Sequence, residues 1–319
     1  MKRRTKIIIP ISFNLRMNSE TFESLKKKFE IPDRVKLMMD QDGLIKVVAE
    51  SDHSTAEIYL KGAHVTSFQQ KGEKLLLFMS PSAKMPRGNM LHGGIPLCFP
   101  WFGNRDGEKL SHGFARNSIW DLVETKGKSD GAVELTFQLP SDVLREAGWA
   151  PVEVLYRVTV EKKLQLELIV NNTTSLPFSY EECFHSYFLV GDINQVTVHG
   201  LKGLTYLDKN EDFAAKQELR DELPIVGETN SVYLHSTAPI EIHDHSLQRT
   251  IRIEKEHSRS TVVWNPWSKK AKEIADFGPD DYQHMLCVES GNVKEYALTV
   301  PPGETSTMKV QLSYVKDSD

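Results

Sequence analysis

The 319-residue chain is 39% hydrophobic and 26% charged, enough apolar material for a large folded core, and no apolar run approaches the roughly 20 residues of a bilayer span. With 39 Lys and Arg against 44 Asp and Glu, its formal net charge of −5 argues against broad nucleic-acid binding, which needs a basic surface to displace counterions from phosphates. Cys98, Cys183 and Cys287 are an odd number in apolar surroundings, so free buried thiols and a cytoplasmic setting are expected rather than a secreted disulfide framework.

Residues 1–18 are basic and free of acids, which gives them a weak likeness to an organellar presequence, and Met17 offers an alternative start. Ser19 is placed to cap a helix through Phe29, because Phe22, Leu25 and Phe29 share one face and Lys26, Lys27 and Lys28 suit the C-terminal dipole. Residues 1–35 read as an N-terminal extension and 36–319 as one domain. From Leu44 the period changes to that of strands: Ile58 and Leu60 alternate with Glu57, Tyr59 and Lys61, Gly62 marks a bulge or turn, and 74–80 (KLLLFMS) reads as a further strand.

The stretch from Met90 to Leu122 is the densest in Gly, His, Arg and aromatic residues. Gly93, Gly94, Pro96, Pro100 and Gly103 forbid a regular helix there. Leu97, Phe99, Trp101 and Phe102 can anchor it on a core, leaving His92, Arg105, His112 and Arg116 as candidates to meet a ligand; a well-packed structural turn is the competing reading. Beyond Trp120 the chain alternates through VELTFQL and a long hairpin turning at Lys162 and Lys163, with one helical segment at 140–148. Short strands then follow to the C-terminus. No βαβ alternation, repeat or linker interrupts them, so the fold class expected is all-β: one large antiparallel supersandwich with a short N-terminal helix.

Two further positions are candidates to carry chemistry. In FHSYF, alternation puts His185, Tyr187 and Leu189 on one face and Phe184, Ser186 and Phe188 on the other. In MLCVESG, Glu289 follows an apolar run at the apparent end of a buried strand, where a carboxylate needs either a partner or a task. A structural histidine and an ion-paired glutamate are the plain alternatives. His243 and His245, with His112, His185 and Glu289, show no familiar metal spacing, so no metal is expected. Cys183 reads as a packed thiol. GxSxG, GxxxxGK[ST] and GxGxxG are all absent, which removes the main support for serine hydrolase, P-loop and Rossmann chemistry.

Taken in order, HGGIPLCFPWFG, SHGFARNSIWDL, FHSYF, VVWNPW, KEIADFGPDDYQHMLCVESGNV and VPPGET resemble the signature of the aldose 1-epimerase superfamily, in particular its hexose-6-phosphate mutarotase (glucose-6-phosphate 1-epimerase) branch. The resemblance runs from about residue 42 to 315. It implies a cofactor-free β-supersandwich that interconverts sugar anomers, with His185 as general acid, Glu289 as general base, His112 hydrogen-bonding near the reacting oxygens and Arg116 gripping a 6-phosphate. It also implies a small-molecule partner, a hexose phosphate or hexose, with neither nucleic acid nor membrane; a monomer is favoured.

The sequence departs from the family in three places. His92 stands where an arginine is usual, Asn230 where relatives carry Asp, and Ser290 where proline follows the glutamate. These departures bear on substrate identity rather than reaction type. Arg105 is the candidate to replace the missing charge, its alternative being a solvated loop arginine. Two other functions stay open on the residues alone: a non-catalytic carbohydrate-binding or regulatory protein of the same fold, and a metal-dependent sandwich enzyme using the histidines.

Overall fold

The computed structural model describes residues 19–83 and 92–315. The basic start with Met17, and Met90 and Leu91 at the head of the central loop, lie outside them. Among the described residues the strands form an eight-stranded and a nine-stranded sheet, a four-stranded sheet and a two-stranded ribbon. The order of the eight-stranded sheet is Ala214–Gln217, Thr205–Asp208, Thr229–Tyr233, Ser260–Asn265, Met285–Asn292, Glu182–Phe184 and Leu97–Cys98, with Tyr187–Leu189 also pairing with Met285–Asn292. Neighbouring strands in it run antiparallel. The all-β sandwich expected from the alternation is what forms.

Side-chain alternation makes this sheet two-faced. Leu97, Phe184, Phe188, Val263 and Val288 point into the main core, shared with Leu135, Tyr156, Leu166 and Met308 of the nine-stranded sheet. The opposite face carries two small apolar clusters. Cys98, Phe102, Cys183, Val232 and Val262 belong to one, and Phe78, Tyr187, Phe277, Met285 and Cys287 to the other. Apolar residues thus fix the sheet from one side while its other side remains free for a site.

The helix forms over Ser19–Phe29, with Ser19 as its first residue rather than its cap, and sends Phe29, 4% exposed, into the main core. The second forms over Ser141–Glu146. Gly62 is a turn. Three further expectations need correction. Lys74 to Ser80 is not a strand: it makes isolated bridges at Leu77–Phe188 and Met79–Gly93, and its apolar run reflects Leu76 and Leu77 packing in the main core while Phe78 packs in a small cluster. FHSYF is not one strand, since pairing stops at His185 and Ser186 and the His185 amide donates to the Pro96 carbonyl instead (3.0 Å). Glu289 is not at a strand end but inside Met285–Asn292. A side chain at Gly291 would meet the Glu182 carbonyl at 2.5 Å, so glycine there permits close strand pairing.

Candidate active site

Register brings the chemistry together. Asn230, Trp264, Cys287 and Tyr187 are successive cross-strand partners, so their side chains share the outer face of the sheet. Two residues along, Val232, Val262 and Glu289 form the next row of that face. His185 joins it from the interrupted strand: its ring stacks on Tyr187 (centroids 4.8 Å, interplanar angle 11°) and meets Trp264 edge-on at 6.1 Å. Its Nε2 lies 3.4 Å from Glu289 Oε1. The carboxylate is 1% exposed, and its Oε2 accepts from the Cys183 thiol at 3.5 Å.

Burial acts on the two partners in opposite directions, because it disfavours whichever form is charged. It pushes the Glu289 carboxyl up to about 8, against the pull of Lys209, the Cys183 hydrogen bond and Arg116. It pushes the His185 imidazole well below its ordinary value, with the charges of His112 and Arg116 adding to the effect. The His185 Nδ1 atom is buried without a hydrogen-bond partner.

The wall beside this pair comes from the Gly- and Pro-rich stretch. His112 occupies the left-handed region (φ 62°), and Gly113 follows at φ 74° where a Cβ would sit 2.0 Å from the Phe99 carbonyl oxygen. Only glycine permits that approach. The result is that the His112 ring stands edge-to-face with His185, centroids 5.5 Å apart. The Gly103 amide donates to His112 Nδ1 (3.3 Å) and the Cys98 thiol lies 3.3 Å from the same atom. A nitrogen that accepts from an amide carries no proton, so the ring proton resides on Nε2 and His112 is a neutral donor. Burial and the charges of Arg116 and Lys209 hold its pKa down accordingly.

Arg116, 8% exposed, donates to the Ser111 carbonyl, while its Nε is buried without a partner. Among the described residues no carboxylate lies within ion-pair distance of it. A desolvated guanidinium with spare donors is suited to an incoming anion. His92 is placed differently from a free cation: its Nδ1 contacts Asp276 Oδ1 at 2.6 Å, with Phe277 and Tyr187 around the ring. Burial would raise the Asp276 carboxyl, but the hydrogen bond and charge of His92 outweigh it and hold it below its ordinary value. Arg105 sits on the exposed part of the loop, its guanidinium over Trp149 (4.8 Å) and Trp101 (5.6 Å). Asn230 is half-buried at the far end of the row through Trp264 and Cys287.

The sequence reading missed one cation. Lys209, in a short 3₁₀ turn that the Asp208 side chain caps, places its amine 5.6 Å from the Phe102 ring, and its charge reaches Glu289 and Cys98. Burial lowers its pKa. Its polar neighbourhood, YLDKNED, offers no periodicity that would have marked it. All three cysteines are free and buried as expected, and each borders the site.

Residues 46–313 match the aldose 1-epimerase family. The chain belongs to that family. It is 36% identical over 295 residues, 88% of each chain, to a Cenchrus ciliaris protein named "Putative glucose-6-phosphate 1-epimerase". A Salmonella typhimurium protein of the same name is 36% identical over 252 residues, 78% of this chain and 83% of that one. A crystal structure described as "a putative mutarotase (YeaD) from Salmonella typhimurium" superposes with a TM-score of 0.83 at 31% identity, over 91% of this chain and 96% of the other. Epimerase chemistry on a carbohydrate, carried by a β-sandwich, therefore accords with both the family and the face of the sheet just described. Among the described residues no helix is long and apolar enough to cross a membrane.

Proposed function

We propose that the protein interconverts the α and β anomers of a hexose 6-phosphate, glucose 6-phosphate foremost, by general acid–base ring opening and closure. The observation that carries the reaction is the His185–Glu289 pair, 3.4 Å apart on a face of the sheet that the main core does not occupy. Glu289 takes the proton from the C1 hydroxyl while His185 gives one to the ring oxygen. The C1–O5 bond breaks, the aldehyde turns about C1–C2, and reversal of both transfers closes the ring on its other face. His112, holding its ring proton on Nε2, is a donor for the neighbouring sugar oxygens.

The pair keeps one proton throughout. It stands as Glu⁻ and HisH⁺ with the closed ring, and as GluH and neutral His with the open one. Burial favours the uncharged version, so the buried site supports the state that follows ring opening, and the fields of Lys209 and Arg116 on Glu289 counter this and keep the charged version within reach. The proposed reaction is complete in these proton transfers and requires no cofactor or metal.

Support for the phosphate is local. Arg116 is a buried cation without a carboxylate partner among the described residues, and Lys209 is a second positive group toward the same pair. The names borne by the two relatives agree with it. A mutarotase for unphosphorylated aldoses is the second reading, favoured by one observation: Asp276 beside His92 places a negative charge where the family's arginine would stand. Anomer exchange followed by NMR on glucose, galactose and their 6-phosphates decides between them. Exchange no faster than buffer across the panel removes both.

A further inference from the structure

The outer face of the sheet holds more than an acid and a base. Cys287 lies two residues before Glu289 on Met285–Asn292, so both side chains emerge on the same face, and His185 closes a triangle with them. One ligand atom from each of His185, Cys287 and Glu289 fits within 4.8 Å of the others, and all three residues are buried. In a tetrahedral zinc site with Zn–N near 2.0 Å and Zn–S near 2.3 Å, donor atoms stand about 3.3–3.8 Å apart. The His185–Glu289 edge already measures 3.4 Å. The edges to the Cys287 sulfur lie within 4.8 Å, so on the order of 1 Å is left to close on binding.

The donor set chooses the ion. Thiolate, imidazole and a single carboxylate suit zinc or another borderline-soft divalent cation and do not suit magnesium or calcium, which take oxygen ligands. Charge also fits, since one thiolate and one carboxylate neutralise a divalent ion, with the proton of the Cys287 thiol and any on Glu289 released to solvent on binding. Arg116 and Lys209 oppose a cation nearby. Three protein ligands leave a fourth position for water, an arrangement open to exchange. The route in exists because the His185 side chain is 11% exposed at the face that a substrate has to reach.

We propose that His185, Cys287 and Glu289 form an inhibitory zinc site, in which the ion is held by the very groups that move the protons. The binding step stands on geometry alone; its inhibitory consequence rests on the proposed roles of His185 and Glu289. Occupation removes acid and base together, so zinc competes with the sugar, and a chelator restores the rate. Cys287 has no part in the proton transfers proposed above, which makes it the position where metal sensitivity separates from chemistry.

The test titrates the purified, metal-free protein with cobalt(II) in the absence of sugar. One cobalt per chain is expected, with a thiolate-to-cobalt absorption band in the near ultraviolet that zinc abolishes, that Cys183→Ser retains and that Cys287→Ser loses. In the anomer-exchange assay, the zinc concentration that halves the rate should rise by roughly 100-fold in Cys287→Ser relative to wild type, the scale on which one of a few ligands contributes to a zinc site. Absence of the band in wild type overturns the site whatever the variants do, as does Cys287→Ser remaining equally sensitive to zinc. If the band appears but the protein exchanges no anomers, the site stands and the reading of the reaction falls instead.

Discussion

His185 and Glu289 are displaced from their ordinary protonation in opposite directions, chiefly by burial, while only 3.4 Å separates Nε2 from Oε1. Two buried groups that differ by the position of one proton form a unit that titrates jointly. Replacing either side by a neutral near-isostere removes the unit. Glu289→Gln and His185→Asn should each slow anomer exchange by roughly 10²–10⁴-fold, the usual contribution of a positioned acid or base. Turnover at the wild-type rate in a folded variant would remove that residue from the mechanism.

In the proposed mechanism the active form of the unit holds a single proton. Below the lowered pKa of His185 it holds two, and above the raised pKa of Glu289, about 8, it holds none. The rate, read as kcat/KM, should therefore fall as pH rises through about 8. Lys209 pulls the Glu289 pKa down, so Lys209→Met should let it rise and move this alkaline limb to higher pH. A limb that stays in place, or moves down, contradicts the assignment of the limb to Glu289.

Arg116 is the cation proposed above to meet the phosphate. One charge-assisted hydrogen bond to a phosphate oxygen contributes about 1.5–3 kcal/mol. Arg116→Met should therefore lower the ratio of kcat/KM for hexose 6-phosphate over free hexose by roughly ten- to a hundredfold, while exchange on the free sugar changes less. Equal losses on both sugars would place Arg116 in the general architecture of the site.

His92 tests the departure from the family. An arginine at this position brings a permanent charge and a forked donor to the Asp276 carboxylate and to any phosphate beyond it. His92→Arg should raise the phosphate preference by roughly three- to tenfold. An unchanged preference means that His92 serves to tie its loop to Asp276 and does not face the phosphate.

One carboxylate outside the reaction has a cost in stability. Glu182 is buried, its Oε1 accepts from Asn292 at 2.8 Å, its Oε2 has no partner, and burial raises its pKa to about 8. A carboxyl raised in the folded state binds more protons folded than unfolded between about pH 4.5 and 8, so its contribution to stability declines as pH rises across that window. Glu182→Gln, which mimics the protonated form, should stabilise the protein by about 2–3 kcal/mol at pH 7 and by less at pH 5. Thermal melting at the two pH values measures it, and a gain that is equal at both defeats the explanation.

Much of this was readable from alternation. The period-two pattern gives the sandwich, the face shared by His185 and Tyr187, and the two-residue spacing that carries Cys287 alongside Glu289. Hidden from it were the edge strand Ala214–Gln217 and its neighbour Thr205–Asp208, whose polar, partly exposed residues show no apolar rhythm, and with them Lys209. The Lys74 to Ser80 run misled because a segment packed on both sides is as apolar as a strand without any ladder to support it. Arg116 and His112 were legible as candidates. The His92–Asp276 contact was not, because it joins residues 184 positions apart.

The strand that bears Glu289 is late in the chain yet central in its sheet, held between Ser260–Asn265 on one side and Glu182–Phe184 with Tyr187–Leu189 on the other. His112, Arg116 and His185 are all synthesised well before it. A nascent chain still lacking this strand has an open seam where Glu289 belongs, and closing that seam against Glu182–Phe184 requires contacts between residues more than a hundred positions apart, which are slow to form. On the roles proposed above, catalysis should thus switch on only once Met285–Asn292 has been made and paired. Translation stalled before residue 285 yields a polypeptide with no fractional activity and two unpaired edges, the kind of exposed backbone on which molecular chaperones act.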